Sequence, residues 1–224
     1  MNEELPDEER PDEELPHGEP PDAELSLRER KKRATRQRIS DIATGLFTER
    51  GFEAVTVAEV AREAGVSTMT VFNYFPRKED LFLDRIPQAV ALFVGAVRDR
   101  GAGEAPLAAL RRLALRLLDR RHPLGGVGET FSTFGRIVVD SPALRARARE
   151  GVEEVERALA AALAEAGAPD PRLLAALVVA AYRTVFLASA RQLLAGEPAD
   201  EVAREHRARL ESAFAALERA DLDG

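Results

Sequence analysis

From Ser67 to Asn73 the chain reads Ser-Thr-Met-Thr-Val-Phe-Asn. Ser67, Thr68 and Thr70 carry hydroxyls that both donate and accept, and Asn73 offers a donor and an acceptor on one planar amide. Met69 adds a soft apolar arm. Set on one short helix, these groups suit a patterned edge of hydrogen-bonding sites: asparagine can pair bidentately with adenine, and apolar atoms can touch a thymine methyl. Groups for bond-breaking chemistry are scarce by comparison. Cysteine is absent, which removes disulfides, thiolate metal sites and cysteine nucleophiles. His17, His122 and His206 read as lying in an acidic tail, in a loop and on an exposed helix face, and no pair has ligand spacing. Gly125-Gly126-Val127-Gly128-Glu129 lacks a preceding strand and a following Gly-Lys-Ser/Thr, so it reads as a flexible loop rather than a phosphate cradle. No enzyme, metal site or cofactor is expected.

The elements that position the Ser67–Asn73 group are legible. Thr56-Val57-Ala58-Glu59 fits a capping box, and Val57, Val60, Ala61 and Ala64 fall on one helical face. Gly65 stops that helix after about two turns and can take a positive φ at a tight corner. Ser67 caps a second helix of about seven residues, which Pro76 closes after Phe75. Val66, Val71 and Phe75 read as core. Two short helices joined by a glycine corner form a helix-turn-helix, whose second helix projects its N-terminal residues into a major groove. Upstream, Ser26-Leu27-Arg28-Glu29 is another capping box. Ile39, Ile42, Ala43, Leu46 and Phe47 make an apolar stripe, and Gly51 ends that helix. Downstream, a helix is expected from Arg77–Asp80 to about Arg100, and residues 81–224 read as helical throughout, with no convincing strand. The expected fold is all-α: a three-helix head over residues 26–80, then a helical domain over 81–224.

Length and composition are ordinary for a globular chain: 224 residues, 45% hydrophobic and 32% charged. The net charge of −7 hides a strong asymmetry. Residues 1–27 hold eleven acidic side chains against Arg10 alone, a local charge of −10, whereas residues 28–50 hold eight basic and three acidic, a local +5. Residues 1–25, with five prolines and no aromatic residue, read as disordered. Arg28, Arg30, Lys31, Lys32, Arg33, Arg36 and Arg38 lie at the start of the first helix. They are either a solvated face or a set of phosphate contacts. Tethered beside them, the acidic tail could compete with nucleic acid at high effective concentration. An acidic N-terminus is not a signal peptide, and no run of about 18 apolar residues occurs, so a cytoplasmic protein without a membrane span is expected.

The register of residues 35–81, TRQRISDIATGLFTERGFEAVTVAEVAREAGVSTMTVFNYFPRKEDL, resembles the N-terminal domain of the TetR family of bacterial transcriptional regulators. The resemblance rests on Arg36, Ile39, Ala43, Phe47, Gly51-Phe52, Thr56, Val60-Ala61, Ala64-Gly65-Val66-Ser67, Phe72-Asn73-Tyr74-Phe75 and Lys78-Glu79-Asp80-Leu81, about a fifth of the chain. It implies a homodimeric repressor of double-stranded operator DNA, with a helical ligand-binding and dimerisation domain behind the reading head and a small-molecule effector. The Phe72–Phe75 form resembles a branch in which some members respond to acyl-CoA-like ligands. By family position, Thr56, Tyr74 and Lys78 would hold phosphates, Ser67 and Thr70 would donate at the start of the recognition helix, and Thr68, Met69 and Asn73 would reach base edges. Lys31, Lys32, Arg33 and Arg36 complete the expected DNA-binding set. The chain departs from the common pattern at Phe72, which lacks the tyrosine hydroxyl that many members use and could simply pack, and at Ala58. Met69 could pack on its own helix, and Lys78 could be a solvated surface charge.

Within residues 81–224, the stretch 171–194 is apolar nearly all round, which means burial on more than one side. Residues 199–220 are amphipathic through Val202, His206, Leu210, Phe214 and Leu217. The pair resembles the family's dimer surface. Expected lining for an effector pocket is Leu92, Phe93, Leu113, Leu117, Phe131, Phe134, Ile137, Val138, Tyr182 and Phe186. Arg183, read as buried, would be either an internal salt bridge or an anion anchor. The alternative to a ligand-released repressor is a ligand-independent or partner-controlled regulator, which a fully packed domain would favour.

Overall fold

A computed structural model describes residues 26–128 and 131–220, with only the backbone described for Phe131. The acidic segment 1–25 and the side chain of Phe131 lie outside the described residues. Nine α-helices and two short 3-10 turns, with no strand, make up the regular structure of the described residues. The helices are α1 (Leu27–Arg50), α2 (Val57–Glu63), α3 (Thr68–Tyr74), α4 (Ile86–Arg98), α5 (Pro106–Asp119), α6 (Phe131–Asp140), α7 (Pro142–Glu165), α8 (Pro171–Leu194) and α9 (Ala199–Arg219). The all-α expectation holds.

Local chemistry sets most of these boundaries. Ser26 and Thr56 form complete capping boxes with Glu29 and Glu59, and Ser67 accepts from the Thr70 N–H. Ser141 and Asp170 cap helices whose next residue is proline, where the missing N–H costs nothing. One boundary differs from expectation. No continuous helix leaves Arg77; a 3-10 turn spans Glu79–Leu81, and α4 begins at Ile86. Pro87 explains the restart, because inside a longer helix it would remove a backbone hydrogen bond and clash with the preceding turn.

The helices bury two main cores. In the first, Ile39, Ala43, Phe47, Val55, Val60, Val71 and Leu81 are fully enclosed. Phe47 packs edge-on against Phe82 with ring centres 5.8 Å apart. This core is not built from the first helices alone, since Leu144 of α7 belongs to it, and Phe134, Ile137 and Val138 of α6 pack on it. The second core joins α4, α5, α7, α8 and α9 through residues including Leu107, Leu113, Leu117, Leu159, Val178 and Phe214.

Four further expectations are corrected. Phe134 and Ile137, expected in an effector pocket, face the first core, where Phe134 stacks on Phe82 at 4.7 Å. Arg183 is exposed, because α8 turns Leu174, Val178, Val185 and Ser189 inward and leaves Arg183 on the opposite side with Ala180, Thr184 and Leu187. The buried arginine is Arg147 of α7, 8% exposed, held by Asp80 at 2.6 Å and Glu154 at 2.9 Å. His206 is buried, with Nδ1 2.8 Å from the Ser189 hydroxyl; it continues the Val202–Leu210–Phe214 stripe that α9 turns inward. The glycine stretch at 125–127 is a packed turn: a Cβ on Gly125 would stand 2.6 Å from the Leu117 carbonyl oxygen.

By length and composition alone, α8 could cross a membrane, with a mean hydropathy of 1.9 over its most apolar window. In the fold it packs between α7 and α9 and touches α6. Its outward stripe keeps Leu173 and Leu187 exposed.

Candidate nucleic-acid interface

The corner between α2 and α3 is made by Gly65, whose φ of +65° is the left-handed conformation that glycine adopts without a Cβ penalty. Ala61, nearly fully buried, accepts through its carbonyl from the Val66 N–H at 3.0 Å, and Arg62 accepts from Gly65 at 3.1 Å. These bonds satisfy the carbonyls at the end of α2 and fix the angle at which α3 leaves.

α3 is two-faced. Val71 and Phe75 are buried in the first core, Thr70 and Tyr74 are half-buried, and Thr68, Met69, Phe72 and Asn73 are exposed. The predicted base-edge residues therefore share one outward face. Phe72 stands in solvent beside them and does not pack inward. Ser67 is exposed; its hydroxyl accepts from the Thr70 N–H at 3.0 Å and shares a 2.8 Å hydrogen bond with the Thr70 hydroxyl. Thr56 is likewise exposed and acts as a cap: its N–H and hydroxyl donate to Glu59 at 2.8 and 2.9 Å. The Glu59 carboxyl is held down at about 2, first by the Arg50 guanidinium at 2.7 Å and then by the Thr56 N–H and hydroxyl.

The expected cationic contacts divide. Lys31 and Lys32 are exposed on α1 with Arg28, Arg30 and Arg38, and Arg33 is half-buried. Arg36 is engaged inside the protein: its guanidinium donates to the Asp84 carbonyl at 3.0 Å and lies 4.7 Å above the Phe75 ring. Asp84 also accepts from the Ser40 hydroxyl at 2.7 Å. Lys78 is neither a solvated charge nor a free arm. Its ammonium donates to the Phe52 carbonyl at 2.5 Å and sits 4.2 Å from the Phe52 ring centre. Burial lowers its pKa, against the opposing pull of Glu53, Glu79 and Glu59. Sequence spacing gave no sign of Asp84 or of the Phe52 carbonyl as partners, because both are contacts between segments distant along the chain.

Among the expected effector-lining residues, Phe93, Leu113 and Leu117 lie inside the closed second core. Tyr182 closes that core from one side: its ring meets Phe93 edge-on at 5.3 Å, and its hydroxyl donates to the Leu124 carbonyl at 2.6 Å. Burial pushes the Tyr182 hydroxyl's pKa up. Phe186 packs against a smaller cluster with Leu118, Val127 and Val202. One hollow of about 480 Å³ lies beside the Arg100–Pro106 turn, and another of about 300 Å³ lies between Leu118, Val127 and Arg207. Neither is lined by an expected effector contact.

A tight corner, a short second helix that turns Thr68, Met69, Phe72 and Asn73 outward, and an exposed basic stretch at the start of α1 define a helix-turn-helix DNA-binding protein. Residues 39–84 match the model for bacterial regulatory proteins of the tetR family. The HTH-type transcriptional regulator TcmR of Streptomyces glaucescens is 33% identical over 168 residues, which cover 71% of this chain and 74% of TcmR. The chain belongs to the TetR family of bacterial transcriptional regulators. The same fold occurs in a TetR-family regulator from Mesorhizobium loti MAFF303099, with a TM-score of 0.53 and 21% identity over 83% of this chain and 98% of that one. It occurs again in a complex of SmeT with triclosan, with a TM-score of 0.55 and 20% identity over 82% of this chain and 91% of that one. TcmR and the Mesorhizobium loti protein are regulators, and the chain is a DNA-binding transcriptional regulator.

Proposed function

We propose that the protein is a cytoplasmic homodimeric repressor that sets one α3 from each protomer into successive major grooves of operator DNA. Residues 26–80 serve as the reading head and residues 81–224 as the regulatory and dimerising part. The observation that carries this reading is the division of α3, with Val71 and Phe75 locked in the core and Thr68, Met69 and Asn73 presented outward. Ser67, Thr70 and Thr56 supply hydroxyls at helix starts, where backbone N–H groups favour a phosphate. Tyr74 stands at the rim of α3, and exposed Lys31 and Lys32, with Arg33 beside them, add sequence-independent attraction. Arg36 acts chiefly by tying the head to the segment before α4, and Lys78 by bracing Phe52 within the head, since their charged groups are spent on Asp84, Phe75 and Phe52. A dimer is required because a seven-residue helix reads few bases; the outward stripe of α8, together with α9, supplies its surface.

Release by a small molecule follows if an effector binds the DNA-incompetent spacing of the heads more tightly than the competent one. α6 is suited to carry that change, because it packs on the first core through Phe134, Ile137 and Val138 and also touches α8. An acyl-CoA-like effector would need a long channel, whereas Phe93, Leu113 and Leu117 are enclosed by neighbouring side chains. That close packing favours a second reading, a regulator that is constitutive or controlled by a partner protein. Recovery of bound duplexes from a random library, followed by a metabolite screen for release, tests both. Enrichment of a two-fold symmetric site and its release by a metabolite is expected for the first reading. A symmetric site that no small molecule releases would leave the second.

A further inference from the structure

Two bulky apolar side chains stand in solvent on α3. Met69 is 69% exposed and Phe72 44% exposed, although Val71 and Phe75 on the same helix are at most 1% exposed. Spaced i and i+3, Met69 and Phe72 are neighbours on one helix face, and Asn73 lies at i+4 from Met69. The pair is bordered by Thr68 and Asn73, both exposed. A membrane or a protein partner would call for a broader apolar area than two side chains framed by polar ones. A base edge in the major groove offers an apolar partner of the right size in one form, the C5-methyl of thymine. On the DNA-reading role given above, we propose that Met69 and Phe72 form a methyl-reading surface. Thymine methyl groups in each operator half-site pack on these two side chains, so specificity there comes from apolar contact, while Asn73 and Thr68 supply the hydrogen bonds beside it. Loss of the tyrosine hydroxyl at position 72 then has a use: phenylalanine presents a wholly apolar ring where a hydroxyl would seek a phosphate.

The test uses the full-length chain and a duplex selected by it from a random library. Each thymine is replaced in turn by deoxyuridine, which keeps the base pair and its hydrogen-bonding edge and removes the methyl group alone. Affinity should fall about fourfold for each methyl contacted, at one or two positions per half-site. 5-Bromodeoxyuridine, with a bulky apolar atom in the methyl's place, should restore it. Met69→Ala and Phe72→Ala should bind thymine and deoxyuridine duplexes alike at those positions, with unchanged helical content by circular dichroism. A fully deoxyuridine operator bound as tightly as the parent, with unrelated duplexes still weak, would overturn the inference while leaving the DNA-reading role standing. So would discrimination that survives in both variants. Failure to enrich any duplex would remove the DNA-reading role itself and the inference with it.

Discussion

His206 is a histidine held far from its ordinary surroundings. It is 1% exposed, bonded through Nδ1 to Ser189, and its Nε2 is buried without a hydrogen-bond partner. Burial first, and then the Arg209 charge, lower its pKa to about 4. An unfolded histidine titrates near 6.5, so between about pH 6.5 and 4 the unfolded chain binds a proton that the folded chain refuses. Stability therefore falls as pH drops through that window, by up to about 3 kcal/mol for this group. Thermal melts of the wild type and of His206→Leu across pH 7 to 4 should diverge, the wild type losing more on acidification; parallel curves would refute it. The sequence placed His206 on the right stripe of α9 but on an exposed face, because a polar residue within an apolar stripe reads as an interruption. Only the arrival of Ser189 from α8 makes its burial tolerable. Arg183 shows the opposite failure: its apolar neighbours suggested burial in the chain's own core, yet helix rotation turns it to the outward stripe of α8.

At the scale of elements, what the sequence conveyed best was what neighbours along the chain settle among themselves. The caps at Ser26, Thr56 and Ser67 and the corner at Gly65 arise from contacts within three or four residues, so spacing alone revealed them. The apolar residues of α6 were legible as inward-facing lining, but not what they would face; Phe134 and Ile137 met Phe82 and the first core, where an effector had been expected. The links between the head and the helices behind it were equally hidden. Arg147 of α7 reaches Asp80, Ser141 donates to Glu53 at 2.7 Å, and Arg77 meets Glu150 at 2.6 Å. Of these, the Arg147 pair is the most enclosed, and breaking one partner of a buried pair costs about 3 kcal/mol. Arg147→Met should lower unfolding stability in urea by about that amount. Arg147→Met combined with Asp80→Leu should recover part of the loss, because the more enclosed of the two carboxylates is then gone, while Glu154 stays partly open to water. A single variant as stable as the wild type would show that the pair contributes little.

For the molecule as a whole, the open question of assembly falls on α8. Leu173 and Leu187 remain 47% and 43% exposed on a helix whose other sides are packed. Leu187→Glu places a charge in the proposed two-fold interface, so it should shift sedimentation from dimer to monomer and weaken operator binding sharply, with helical content preserved. A variant that sediments and binds as the wild type does would move the interface elsewhere. The joint at Asp84 has a consequence of another kind. Ser40 and Arg36 of α1 both grip this one residue just before α4 begins, and Arg36 leans at the same time on the last core ring after α3. These contacts tie α1 and the end of α3 to the segment that leads into α4, so the head and the helices behind it meet at one elbow. In the proposed symmetric pair, two arms so joined would work like calipers: a slight roll of one protomer against the other would become a wide change of gap at the tips.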